Sequence, residues 1–89
     1  MKIYYLNFEN FEGDTWFELY HSKEKAYKRY TNLRAASKKM EEFCDEIKFN
    51  KNNEKNRFSF FNADYNEYST FITIKQIELE DLFYDNIID

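Results

Sequence analysis

SKEKAYKRYTNLRAASKKMEEFCDEI, residues 22–47, is the stretch on which the fold turns. Within it Ala26, Tyr30, Leu33, Ser37, Met40, Cys44 and Ile47 are spaced four, three, four, three, four and three. That alternation belongs to a helix with one apolar stripe, which Tyr27, Ala36 and Phe43 widen. Ser22 stands where an N-cap belongs, its hydroxyl placed to accept from a backbone N–H two or three residues on. The spacing predicts a helix from Lys23 to about Glu46, roughly 36 Å long at 1.5 Å per residue. A strand of about seven residues spans only ~24 Å, so one end of the helix is expected to overhang its sheet.

Upstream, Lys2–Phe8 is dense in strand formers, with Ile3 and Tyr5 on one face and Tyr4, Leu6 and Phe8 on the other. Asn10–Asp14 holds the only glycine, Gly13, which suits a hairpin loop needing φ > 0. Thr15–His21 then reads as a second strand, with Trp16, Glu18 and Tyr20 facing opposite to Phe17, Leu19 and His21. Downstream, Lys48–Asn56 is a polar, Asn-rich break, Arg57–Asn62 a third strand, and Ala63–Glu67 a turn. Ser69–Leu79 is the fourth strand. Ile72 and Ile74 share one face of it, and a β-bulge around Lys75–Gln76 is needed to bring Ile77 and Leu79 to the same side. Leu79, Leu82, Phe83 and Ile87 fit a short terminal helical turn.

The expected fold is therefore α+β in the order ββαββ. A four-stranded, mainly antiparallel sheet carries one long helix on one face, with a short C-terminal helical turn, as a single domain over residues 1–89. A chain of 89 residues has room for one core. Ten Phe, eight Tyr and one Trp supply that core, each buried aromatic removing roughly 150–250 Å² from water. Such content argues against disorder even with 34 % charged residues. The lone Cys44 can form no intrachain disulfide and fits a reducing cytoplasm. The opening MKIYYLNFEN lacks the apolar run of a signal peptide, and no stretch approaches ~18 apolar residues. A cytoplasmic location is the expectation, with no membrane association.

Chemistry-bearing motifs are sparse. His21 is the only histidine, so any catalytic triad must be built on it with Cys44 or a serine. It sits at a strand end, where an exposed histidine is the ordinary outcome. One cysteine and one histidine do not make a four-ligand zinc site. One glycine excludes the phosphate-cradling loops. Asp45–Lys48 contains an E-x-K triplet of the kind that metal-dependent nucleases use, but those triplets lie on strands and this one is expected to end a helix. The reading is non-enzymatic, with no cofactor, metal or small-molecule ligand.

Charge is distributed unevenly. Residues 23–39 carry seven Lys/Arg and one Glu, and residues 40–47 carry four acids. That order opposes the helix dipole. Residues 58–89 carry one Lys and seven acids. Two partner surfaces of opposite sign follow. The acidic one comprises Glu78, Glu80, Asp81 and Asp85 with Phe83 and Tyr84 as apolar anchors, joined by Glu9, Glu12, Asp14 and Glu18 of the hairpin. It suits a basic groove on another protein, including one that normally holds nucleic acid. The basic one comprises Lys23, Tyr27, Lys28, Arg29 and Arg34, a face with the side chains to grip nucleic acid directly. A net charge of −4 and a pI near 5.0 weigh against that second surface. The overhanging helix also allows a homodimer.

In size, acidity and a composition typical of AT-rich genomes, the chain resembles the small inhibitors that phages of low-GC bacteria make against host machinery, anti-CRISPR proteins among them. The resemblance implies a phage or mobile-element protein acting in the host cytoplasm as a stoichiometric inhibitor of a host protein.

Overall fold

Ser22 caps a 21-residue helix, α1 (Lys23–Phe43), its hydroxyl accepting the Lys25 N–H at 3.2 Å. The helix belongs to a computed structural model that describes residues 2–10, 12–50, 54–62, 69–78 and 87–88. It ends about three residues short of Glu46. Cys44 is extended and donates its N–H to the Met40 carbonyl at 2.9 Å. Part of the reason is electrostatic and local. The last turn holds no basic residue, while Glu41 and Glu42 crowd the negative end of the dipole, so further helix gains little. β-branched Ile47 starts a strand instead of extending the stripe.

That strand corrects the expected count of four. The strands are β1 (Lys2–Glu9), β2 (Thr15–Tyr20), β3 (Ile47–Phe49), β4 (Arg57–Asn62) and β5 (Ser69–Glu78). They form a five-stranded sheet in the order β2-β1-β5-β4-β3, antiparallel throughout. The polar break expected at Lys48–Asn56 begins only after Phe49, because β3 uses Lys48 opposite Phe61 and Phe49 opposite Phe60. Asn10 and Gly13 shape the β1–β2 hairpin. Gly13 takes φ +85°, and the Asn10 Oδ1 accepts the N–H groups of Glu12 at 3.0 Å and Asp14 at 2.9 Å.

The predicted bulge at Lys75–Gln76 is absent. β1 and β5 pair in unbroken register from Lys2 opposite Glu78 to Glu9 opposite Phe71. Ile77 needs no redirection, since it stands opposite fully buried Ile3 on the far face of the sheet. The near face supplies the main core. Leu6, Phe8, Phe58, Ile72 and Ile74 pack with Tyr20 against Ala26 and Tyr30 of α1. Tyr30 meets Phe58 edge-on, with ring centroids 5.4 Å apart, and its hydroxyl donates to the Lys55 carbonyl at 3.1 Å. Burial raises the Tyr30 pKa, an effect that neighbouring Arg34 partly opposes.

Only the N-terminal part of the predicted stripe is sealed. Ala26, Tyr30 and Ser37 are buried, Tyr27, Leu33 and Cys44 are half-buried, and Ala36, Met40 and Phe43 are exposed. The exposed part of the stripe thus falls toward the C-terminal end of α1, and at 21 residues the helix is about as long as the ten-residue strand β5, so the expected overhang is not seen.

At the chain's end Ile87 makes a parallel bridge to Leu19, and Ile88 donates its N–H to the Leu19 carbonyl at 2.7 Å. Ile87 is therefore extended where a helical turn is predicted. Leu79, Leu82 and Phe83 of that turn lie outside the described residues, as does the turn at 63–67. α1 is not long and apolar enough to cross a membrane.

Candidate interaction surface

The β1–β2 hairpin is where exposed apolar groups and carboxylates meet. Trp16 and Phe17 are adjacent on β2, so their side chains leave opposite faces of the strand. Both are nevertheless exposed, at 47 % and 58 %. The path of α1 explains the exposure of Trp16, which shares the near face with the helix. The helix departs from the Tyr20 end of β2 and finishes beside β3 at the other edge of the sheet, where Glu41 accepts the Phe49 N–H at 3.1 Å. Its axis diverges from the Trp16 end of β2 and leaves that corner of the near face uncovered. Trp16 itself roofs Phe8 there, stacked at 5.3 Å with planes 5° apart. Phe17, on the far face, rests a tilted ring against Tyr5 at 6.0 Å.

The same hairpin carries Glu9, opposite Thr15, and Glu12 and Asp14 in its loop, all exposed. The loop that carries two of them is held by Asn10, whose backbone also exchanges bonds with Asp14 at 3.0 Å and Gly13 at 3.1 Å. Glu18 differs. It is half-buried and accepts from the Arg29 Nε at 3.1 Å and the Tyr20 hydroxyl at 2.9 Å. The Glu18 hydrogen bond raises the Arg29 pKa, against a smaller desolvation cost. Ile88, 57 % exposed and bound at Leu19, brings the chain's end onto this same edge of β2. Two segments remote in sequence thus share one rim.

Of the acidic C-terminal set, Glu78 is exposed at the end of β5 opposite Lys2. Glu80, Asp81, Phe83, Tyr84 and Asp85 lie outside the described residues. The basic set divides. Lys23 and Lys28 are exposed, with the Lys23 ammonium 5.9 Å from the Tyr27 ring centroid, while Tyr27 packs against the core. Arg29 is engaged with Glu18, and Arg34 donates to the carbonyls of Glu54 at 3.2 Å and Lys55 at 3.5 Å. Arg29 and Arg34 thus tie α1 to the sheet and to the segment before β4.

His21 is exposed at the end of β2. Cys44 is not on the sealed part of the stripe but at the helix C-cap, half-buried, with its Sγ 3.6 Å from the Glu46 carboxylate. The E-x-K triplet runs from a turn at Glu46 into β3 at Lys48, rather than ending a helix. Among the described residues, no three His, Cys, Asp or Glu side chains are grouped to hold a metal ion. A groove of about 450 Å³ on β4 and β5 is bordered by Glu54, Asn56, Arg57, Thr73, Ile74 and Lys75. Its polar wall mixes two cations with a carboxylate, and Arg57 is drawn aside over the Phe71 ring at 4.4 Å.

Strand alternation places Trp16 and Phe17 on opposite faces but does not by itself place both at the surface. Their adjacency beside an acidic loop was the available signal. No protein-family model, curated protein or solved structure matches the chain.

Proposed function

We propose that the chain is a non-enzymatic protein-binding module that docks its first hairpin on a basic surface of another protein. The observation that carries this is the pair Trp16 and Phe17, large aromatics left exposed on both faces of one edge strand, in a hairpin that also exposes Glu9, Glu12 and Asp14. Tryptophan and other large apolar anchors dominate binding energy once a partner removes them from water. Carboxylates on the same hairpin speed encounter with a positive surface and disfavour neutral ones. A loop pinned by Asn10 presents two of those acids with little ordering left to be done on binding.

The C-terminal residues Glu80, Asp81, Phe83, Tyr84 and Asp85 extend this reading, since Ile88 leads the chain's end to the same rim. The setting supported by size and composition is a phage or mobile element of a low-GC bacterium. The action in that setting is stoichiometric inhibition of a host protein that uses a basic, nucleic-acid-binding groove.

Affinity capture from a bacterial extract tests the reading with three baits: wild type, Phe17→Ala, and a triple lysine replacement of Glu9, Glu12 and Asp14. The expected result is a basic protein retained by wild type and lost by both variants, whose folds are intact by circular dichroism. A captured protein held equally by all three baits would refute the hairpin as the docking surface.

A further inference from the structure

Past the pair of Arg57 and Thr73, where the β4–β5 register ends, the lane beside β5 holds no strand among the described residues. The Ile74 N–H donates to the Asn56 carbonyl at 2.9 Å, and the chain before Asn56 turns out of the lane, with the Arg57 N–H donating to the Glu54 carbonyl at 3.4 Å. β5 itself continues to Glu78, paired on its other side with β1. Backbone groups alternate sides along a strand, so exposed Gln76, two residues beyond Ile74, also points its N–H and carbonyl into the lane. Among the described residues, none bonds the Gln76 backbone from that side. The groove of about 450 Å³ lies at this place, between the turn at Glu54–Arg57 and residues 73–75 of β5. It is at the opposite end of β1 from the hairpin loop and does not depend on the docking reading above.

We propose that this lane takes the C-terminal end of a partner protein, added as a short antiparallel strand beside β5. Three features select that occupant. First, open N–H and C=O groups on a strand edge are matched by another extended backbone. Second, Asn56 closes one end of the lane, which suits a chain end rather than a chain passing through. A segment antiparallel to β5 runs in the direction of β4 and meets Asn56 with its C-terminus, whereas a parallel one meets it with its N-terminus. Third, the closed end is bordered by two exposed cations, Arg57 and Lys75, against the single carboxylate of Glu54. That balance attracts a terminal carboxylate and repels a terminal ammonium. With the last residue of the segment opposite Gln76, its carboxylate lies level with Lys75 and its penultimate side chain falls beside half-buried Ile77. An apolar penultimate residue therefore fits.

Selection from a library of short random peptides with free C-termini tests the site, the selected peptides being titrated against the full chain by fluorescence anisotropy. They are expected to share an apolar penultimate residue. Amidation of the terminal carboxylate is expected to weaken binding by about tenfold or more, as is Lys75→Glu, a change at an exposed position that leaves the circular dichroism spectrum unaltered. Glu54→Gln is expected to tighten binding. In the amide NMR spectrum, the Gln76 resonance is expected to shift on binding and its proton to exchange more slowly with solvent. A library that yields no binder tighter than about 1 mM would overturn the proposal. So would affinities indifferent to amidation, the mark of an internal segment, or a Gln76 amide unmoved by bound peptide.

Discussion

Trp16 lies flat on Phe8, ring centroids 5.3 Å apart, and leaves 47 % of its own surface in solvent. One side chain thereby has two roles. Its inner face closes the corner of the core that α1 does not reach, keeping Phe8 at 5 % exposure, and its outer face remains available. Trp16→Ala is expected to lower stability by about 1–2 kcal/mol, combining a lost aromatic pair with newly wetted Phe8 surface. Urea unfolding followed by circular dichroism measures this. Trp16→Phe should recover most of the loss.

Phe58 is the centre of the core. It is fully buried and touches both Tyr30, edge-on at 5.4 Å, and Phe49, stacked at 6.0 Å. It joins α1 to β3 as well as to its own strand. Phe58→Ala is expected to cost about 3–5 kcal/mol. At roughly 0.05–0.15 kcal/mol per residue, that is a large share of what a domain of this length has. A thermal midpoint lowered by less than a few degrees would show that the core is centred elsewhere.

Tyr30 gives the fold an alkaline limit. Burial holds its pKa above the ordinary 10.0, so the folded chain binds this proton more tightly than the unfolded chain does. The group's contribution is intact below about pH 10 and is lost as pH rises through the folded value. Wild type should therefore lose stability above pH 10 more steeply than Tyr30→Phe. Near neutral pH the variant should be less stable by about 1 kcal/mol, for the lost bond to the Lys55 carbonyl. Denaturant midpoints at pH 7, 10 and 11 provide the comparison.

Much of this arrangement was legible in the sequence because periodicity is local. Ser22 as the cap, the faces of Leu6 and Phe8, and the turn at Gly13 each follow from a few neighbouring residues. The errors arose where a distant segment decides. Ile47 continues the helical spacing, and the availability of Phe60 and Phe61 on β4, added to the acidic last turn of α1, makes a strand the better use of Ile47–Phe49. Ile77 looked misdirected because the burial of Ile3 on the second face is not written near it. Exposure of Trp16 likewise depends on the course of α1 across the near face of the sheet, a tertiary fact. The charged residues show the same limit. Arg29 and Arg34 read as a ligand-gripping face until Glu18 and the carbonyls of Glu54 and Lys55 are placed against them.

The central claim is that the β1–β2 hairpin is a docking face whose aromatics bind and whose acids steer. Its most direct test is the affinity of the captured protein for wild type, Phe17→Ala and the triple lysine variant, titrated through Trp16 fluorescence at low and moderate salt. The prediction is a blue-shifted Trp16 emission on binding and an affinity at least about tenfold weaker for Phe17→Ala at both salts. Wild-type binding should weaken as salt rises, with that dependence reduced or inverted in the lysine variant. Equal affinities across the three proteins, with Trp16 emission unmoved on binding, would contradict the claim.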